Sequence, residues 1–284
     1  MKQLTHKTVL CIILNLSGFS VYAQLSEPGY PLGLRNKLNI NDIPTLNIIS
    51  VNNEEKLKQF DTCKTCAEPY GFDKDYEFDF WNMAKLDIVQ YGTEIFEVYR
   101  YRIHSDSAGG LHVKFADYSP GRDCKMYLYS PSDSLRILGA YSENNYKPDK
   151  SFYSNRIHGG DMIIEINRPV KSTHLSKGNL LIKGFTYSYL RRNRFELSLN
   201  CHENVICSPW YNDWCNQIRG VIKFLWEDVN GNRLWCSGAV VNNLNNNFDP
   251  LILTAWHCTE NGNDHANWMF WFNFQSITCN PSTN

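Results

Sequence analysis

Leu251-Ile252-Leu253-Thr254-Ala255-Trp256-His257-Cys258 runs a short apolar strand into a histidine flanked by tryptophan and cysteine. Upstream, Cys236-Ser237-Gly238-Ala239-Val240-Val241 is a second apolar segment that opens on a cysteine, and the asparagine-rich loop Asn242 to Asn247 leads from it toward Leu251. Farther upstream, Asp228-Val229-Asn230-Gly231-Asn232 separates two strand candidates, Ile218 to Trp226 and Arg233 to Val241. Asn-Gly suits the positive φ of a tight hairpin turn. Downstream, Asn267 to Phe274 carries Trp268, Phe270, Trp271, Phe272 and Phe274, and its alternation predicts a buried strand. This end of the chain therefore reads as antiparallel strands, with His257 where one of them stops.

The middle of the chain has the same texture. Glu94 to His104 alternates, with Ile95, Glu97, Tyr99, Tyr101 and Ile103 on one side. Leu111, Val113 and Phe115 alternate next, followed by Met126 to Tyr129, Ile137 to Tyr141, Met162 to Ile166 and Leu180 to Tyr187. Each is bounded by Pro, Gly, Asn or Asp, and short strands at this spacing predict a β-sandwich over 76–190. Residues 24–75 are polar and interrupted by Pro28, Pro31, Pro44 and Pro69, with a short helix expected over Glu54 to Phe60. They read as an extended arm or linker. Arg191-Arg192-Asn193-Arg194 is an exposed basic run and a candidate boundary; a solvated loop explains it equally well.

A chain of 284 residues holds one large or two ordinary domains. Hydrophobic residues are 43% of it, enough for a sizeable core, and Tyr (16), Phe (15) and Trp (8) favour pleated, half-buried positions. The net charge of −1 gives no basic surface for nucleic acid. Lys2 and Lys7, the apolar stretch Thr8 to Val21 and the small residues at Val21-Tyr22-Ala23 read as a cleaved secretory signal over 1–23. No later segment is long and apolar enough to cross a bilayer. Export makes disulfides the default for the nine cysteines that remain after Cys11 leaves. Nine is odd, so at least one lacks a partner within this chain.

The order Cys236-Ser237-Gly238-Ala239-Val240-Val241, then Leu253-Thr254-Ala255-Trp256-His257-Cys258, resembles the histidine region of trypsin-like serine proteases. Cys201-His202-Glu203-Asn204-Val205-Ile206-Cys207, Gly220-Val221-Ile222 and Trp271-Phe272-Asn273-Phe274-Gln275-Ser276-Ile277-Thr278-Cys279 bring the resemblance closer to the lysyl endopeptidase branch. It covers residues 201–284, about the first barrel of a two-barrel enzyme. Residues 24–190 resemble, more weakly, the segment that precedes the protease domain in secreted relatives, through Met126-Tyr127-Leu128-Tyr129 and Leu138-Gly139-Ala140-Tyr141.

The resemblance implies an all-β chain: an N-terminal β-sandwich-like propeptide over 76–194, then the first β-barrel half of a chymotrypsin-like protease over 195–284. It implies His257 as general base, Cys236–Cys258 and Cys207–Cys279 disulfides, and a partner for Cys201 in a missing C-terminal half-domain. The catalytic aspartate and serine would lie beyond residue 284, so this segment would be inactive alone and would expose an apolar face. Polypeptide substrates, a preference for lysine, secretion and no cofactor follow from the same resemblance. Cys215 has no counterpart and could pair with Cys124, pair with another chain, or be free; Cys63 and Cys66 would bond locally or to Cys124.

Other constellations read as structure. Asp106-Ser107-Ala108-Gly109-Gly110 mimics a nucleophile loop but lies between two strands ahead of the histidine, where a turn with glycine at positive φ explains it. Cys63-Lys64-Thr65-Cys66 lacks the helix start of a redox site and the second ligand pair of a zinc site. His257, Asp264 and His265 lack metal-ligand spacing. Two rival functions belong to another class: a non-catalytic exported binding protein on a protease-like scaffold, and a carbohydrate-binding or adhesive β-sandwich.

Overall fold

The computed structural model describes residues 24–58, 68–172, 176–189, 204–243, 247, 251–258, 268–275 and 279. The expected signal sequence, Cys63-Lys64-Thr65-Cys66, the basic run at 191–194, Cys201, Asp264 and His265 lie outside them.

The fold is all-β, as expected, with two sheets that curl about one main core. The first sheet joins β1 (Thr45–Asn47), β3 (Lys85–Tyr91), β4 (Glu94–His104), β6 (Lys125–Ser130), β7 (Asp133–Tyr141) and β10 (Asp161–Pro169). Its spatial order is β1-β4-β10-β6-β7, with β3 also on β4. The second sheet has nine strands. β2 (Glu68–Asp79), β5 (Gly110–Pro120), β8 (Phe152–Tyr153), β9 (Ile157–His158) and β11 (Gly178–Ser188) form the part that faces the first sheet. β12 (Val221–Glu227), β13 (Asn232–Val241), β14 (Leu251–Thr254) and β15 (Met269–Phe272) extend it into a half-barrel.

Alternation decides which side chains meet. Tyr99, Tyr101 and Ile103 of β4, Met162, Ile164 and Ile166 of β10, and Met126 and Leu128 of β6 point inward. They pack against Leu111, Val113 and Phe115 of β5 and Leu180, Ile182, Phe185 and Tyr187 of β11. The expected strand over Glu94 to His104 thus forms with Tyr99, Tyr101 and Ile103 inside, while Glu97 is half-buried and Ile95 at its start is exposed.

The other face of the first sheet is not left to water, and here the structure departs from the expectation of an extended arm. Helix α1 (Leu32–Arg35) lies on that face, and β1 joins the sheet itself, parallel to β4. Leu32 packs with Val89 and Val98, and Ile43 packs with Tyr127, Tyr129 and Ile163. Glu165, fully buried on this face, accepts hydrogen bonds from the Gly33 backbone N–H (2.8 Å) and the Tyr129 hydroxyl (2.6 Å). A Cβ on Gly33 would come within 2.5 Å of the Glu165 carboxylate, so only glycine brings the arm this close. Polar composition suggested a linker because the covering contacts are few and widely spaced in sequence. The sandwich also begins earlier than residue 76, because β2 starts at Glu68.

Helix α2 (Asn53–Lys58) overlaps the short helix expected over Glu54 to Phe60, starting one residue earlier, with residues 59 and 60 outside the described set; a single helical turn, α3 (Phe80–Met83), follows β2. The turn between β4 and β5 carries Asp106 to Gly109, with Ser107 hydrogen-bonded to Tyr187 (2.7 Å) and to the Val51 carbonyl (3.2 Å). Neither Gly109 nor Gly110 has positive φ, contrary to expectation. Gly110 instead makes room for the Arg156 side chain, which a Cβ would meet at 2.5 Å.

Beneath the second sheet, the His112 Nδ1 hydrogen bond runs to the Ser154 carbonyl (2.9 Å), which can only accept, so Nδ1 carries the proton. Nε2 is then free to accept from the Tyr70 hydroxyl. Burial pushes the His112 pKa down to about 3, and Arg156 and Arg233 push in the same direction, against the Ser154 hydrogen bond and Asp73. Below about pH 6.5 the unfolded chain binds a proton here that the folded chain refuses. Stability is therefore lost as pH falls from about 6.5 toward 3, by about 1.4 kcal/mol per pH unit from this group. His158, lowered to about 4 by burial and by Arg156, acts in the same sense. His104 opposes them: burial alone would lower it, but hydrogen bonds to Asp161 and Asp106 raise it. Thermal melts from pH 7 to pH 4 should show a steep fall in Tm that flattens in His112→Gln; a melt independent of pH would refute this reading.

Candidate functional site

The candidate site is built on the half-barrel. β12 and β13 form the hairpin expected from Asp228 to Asn232, with Gly231 at φ +78° and the Asp228 carboxylate accepting from the Asn230 and Asn232 N–H groups (both 2.8 Å). Ile222, Phe224 and Trp226 of β12 face Leu234 and Cys236 of β13, and this cluster, with Cys258, is the half-barrel's core. β12 starts at Val221 rather than Ile218, because helix α4 (Trp210–Arg219) precedes it. That helix was missed by sequence reasoning, although Trp210, Trp214 and Ile218 stand at the i, i+4, i+8 spacing of a helix face.

β14 pairs antiparallel with β13, Thr254 opposite Gly238 and Leu253 opposite Ala239. A Cβ on Gly238 would come within 2.8 Å of the Leu253 carbonyl oxygen, so a glycine lets the two backbones close. The Thr254 hydroxyl donates to the Ser237 carbonyl (2.8 Å) and fixes the strand's end. The chain then turns through a single 3-10 turn, Trp256–Cys258, closed by the Cys258 N–H on the Ala255 carbonyl (3.0 Å).

At the base of this turn Cys236 and Cys258 form a disulfide, as the resemblance implied, and both are buried. His257 is exposed beside it, one ring nitrogen within 4.8 Å of both sulfurs. The three residues stand at metal-ligand distance, but sulfurs joined to each other are not thiolate ligands. What the arrangement provides is a solvent-facing imidazole on a turn crosslinked to the neighbouring strand. Among the described residues no hydrogen-bond partner of His257 is found. Ser107, the decoy hydroxyl, is held in the sandwich by Tyr187 and Val51.

Removing the crosslink should matter. Closing the 22-residue separation between Cys236 and Cys258 is worth about 3 kcal/mol by loop entropy. The pair Cys236→Ala with Cys258→Ala is expected to lower the urea midpoint accordingly, and unchanged stability would show the turn is held by other contacts.

The second implied bond, Cys207–Cys279, is also present and ties the entry of α4 to the chain beyond β15. Cys124 and Cys215 do not pair with each other; Cys124 is buried in the sandwich core, where burial pushes its thiol up to about 11. The aromatic strand expected over Asn267 to Phe274 is β15, but it is half-open rather than buried. It pairs with β12 on one side, and its residues alternate between partly covered Met269 and Trp271 and exposed Phe270 and Phe272. Leu251, Leu253 and Val221 are exposed as well, so the half-barrel presents apolar side chains to solvent on both faces.

A buried charge cluster went unanticipated. Arg233 of β13, wholly buried, pairs with Asp73 of β2 (2.8 Å) and Glu227 of β12 (2.8 Å). Lys114 of β5 reaches both carboxylates, Glu227 at 3.3 Å. Burial pushes the Asp73 carboxyl up, but Arg233 and Lys114 together outweigh it and hold it at about 2. Glu227 is raised, by burial first, with Asp73 adding to the rise against Arg233 and Lys114.

In a comparison with known families, residues 195–284 fit the model of the lysyl endopeptidase C-terminal domain. That stretch is under half of the chain, and the all-β fold with its two disulfides is compatible with a relation to that family. Among the described residues, no helix is long and apolar enough to cross a membrane.

Proposed function

We propose that this chain is the precursor of a secreted serine-type endopeptidase in which His257 is the general base. The family match over 195–284, together with a histidine on a disulfide-pinned turn at the end of β14, is the observation that carries the reading. A general base must hold one ring orientation within hydrogen-bond reach of its nucleophile. Strand register, the Thr254–Ser237 hydrogen bond and the Cys236–Cys258 bond fix the backbone on either side of His257, and orienting the ring itself falls to the triad's aspartate.

In the working enzyme a serine hydroxyl attacks the peptide carbonyl, His257 takes its proton and returns it to the leaving amine, and an aspartate orients the ring. The resemblance implies that the aspartate and serine belong to a second half-domain that packs against this half-barrel. Exposed Leu251, Leu253, Phe270 and Phe272 fit a half-barrel that packs against such a partner. The proposed layout is a signal over 1–23, a sandwich propeptide including the arm over 24–194, and the protease segment from 195. Substrates are polypeptides, cleaved after lysine.

The test is hydrolysis of a peptide series differing only at the residue before the cleaved bond, using the secreted full-length product. Cleavage confined to lysine supports the reading. No cleavage of any member contradicts it and moves the non-catalytic binding protein to the front.

A further inference from the structure

A cavity of about 370 Å³ lies where β7, the chain entering β9 and the half-barrel meet. That is within the range of small-molecule pockets, about 300–1,000 Å³. One part of its lining is aromatic. β13 pairs antiparallel with β2, Leu234 opposite Pro69 and Trp235 opposite Glu68, which sets Trp235 edge to face against Tyr70 at 4.9 Å. Trp271 of β15 meets Trp235 in turn, ring centres 5.0 Å apart, and Phe274 lies beside them. Tyr70 is buried, whereas Trp235, Trp271 and Phe274 are only half-buried and keep open surface.

The polar part of the lining consists mainly of hydrogen-bond donors. Arg156 is placed by close packing: its guanidinium lies 5.8 Å from the centre of the Tyr70 ring, and a Cβ on Gly110 would meet its side chain at 2.5 Å. Its Nη2 donates to His158 Nδ1 (3.3 Å). Arginine cannot accept, so the His158 proton sits on Nε2, which makes that nitrogen a donor. The Asn155 Oδ1 accepts from the Arg156 N–H (2.7 Å), and its amide NH2 group is a donor too. Arg136 stands exposed at the rim. The acceptors of the lining are engaged at the β6–β7 turn: Asp133 with Arg136 (3.5 Å) and with the Leu135 N–H (3.2 Å), and the Ser130 hydroxyl with Ser132 (2.9 Å). Among the described residues of the lining, two guanidiniums stand against one carboxylate.

We infer that this cavity binds a small organic anion, with an apolar body against Tyr70, Trp235, Trp271 and Phe274 and one carboxylate received by Arg156 and Arg136. The charge excess disfavours a cation, although aromatic walls alone would suit one. A bare inorganic anion would leave the aromatic surface unused. A carboxylate matches the planar donor fork of a guanidinium. The local field has the required sign: burial first, then Arg156 and Arg136, bring the His158 pKa down to about 4 against the pull of Asp133.

The inference stands apart from the peptidase reading, because its test measures heat of binding rather than turnover. The full chain is titrated calorimetrically near neutral pH with 3-phenylpropionate and with its uncharged twin, 3-phenylpropionamide. A second arm uses the peptide Ala-Ala-Phe with a free or an amidated C-terminus. Saturable one-to-one binding of an acid is expected, weaker by at least about tenfold for its amide and in Arg156→Met. Whichever acid binds more tightly identifies the source, a free small acid or a chain terminus. No saturable binding of either acid, or an amide that binds equally well, would overturn the inference. If Arg156→Met does not fold, Arg136→Gln at the exposed rim decides: a several-fold loss supports the site, and unchanged affinity overturns it.

Discussion

Under the proposed function, replacing His257 by alanine in the full-length product is expected to lower kcat on the order of 10⁶-fold, with little change in folding. The two halves of that expectation come from different observations. The loss in rate is what a serine hydrolase suffers when its general base is removed, because the serine hydroxyl then has no acceptor for its proton. The unchanged folding comes from exposure: His257 is exposed and, among the described residues, makes no hydrogen bond, while the turn around it is held by the Cys258 N–H and the Cys236–Cys258 bond. Secreted yield and melting temperature of the variant separate the two. A variant that retains wild-type turnover would refute His257 as the base. One that is inactive because it is unfolded would show that the imidazole is part of the turn's structure.

The second large effect is on stability. Arg233→Met leaves Asp73 and Glu227 buried together with only Lys114 between them, a net negative charge where the native cluster is neutral. Breaking a buried pair from one side costs about 3–5 kcal/mol, because the remaining charge has neither water nor partner. The double variant Asp73→Asn with Arg233→Met restores neutrality and is expected to regain most of that loss. Urea unfolding of the four members of this cycle measures the coupling. The same cluster has a pH signature with opposed parts. Asp73, held at about 2, contributes stability that is present above its ordinary value near 3.8 and lost as pH falls toward 2. Glu227, raised, contributes in the opposite sense, favouring the fold below its raised value. An Arg233→Met variant within 0.5 kcal/mol of wild type (about the noise of a surface substitution) would show that water already reaches the cluster.

How much of this was legible in the sequence follows from how locally each feature is encoded. Strands such as β4 and β11 were legible because alternation is a local signal, and the β12–β13 hairpin because Asn230-Gly231 specifies its own turn. The Cys236–Cys258 and Cys207–Cys279 bonds came through family resemblance, since spacing alone does not determine connectivity. Helix α4 carries a period at Trp210, Trp214 and Ile218, but Cys207, Pro209 and Cys215 in and beside it are equally the signals of a disulfide-bonded loop. The packing of the arm and the charge cluster were not legible. Gly33 meets Glu165 across 132 positions of chain, and Arg233 meets Asp73 across 160, so no window of sequence contains both partners. Asp73 falls in the stretch expected as an arm and Lys114 between the inward Val113 and Phe115, so neither reads as buried; the fold of β12 and β13 over that face buries them.

The match to the lysyl endopeptidase C-terminal domain covers the half-barrel, and the chemistry proposed for it rests on a serine that His257 activates. The most direct measurement is the intact mass of the secreted full-length product before and after reaction with an organophosphonate fluoride, which modifies activated serines. The account predicts a single adduct per chain, absent when His257 is alanine. A native, folded product that takes up no adduct would contradict it.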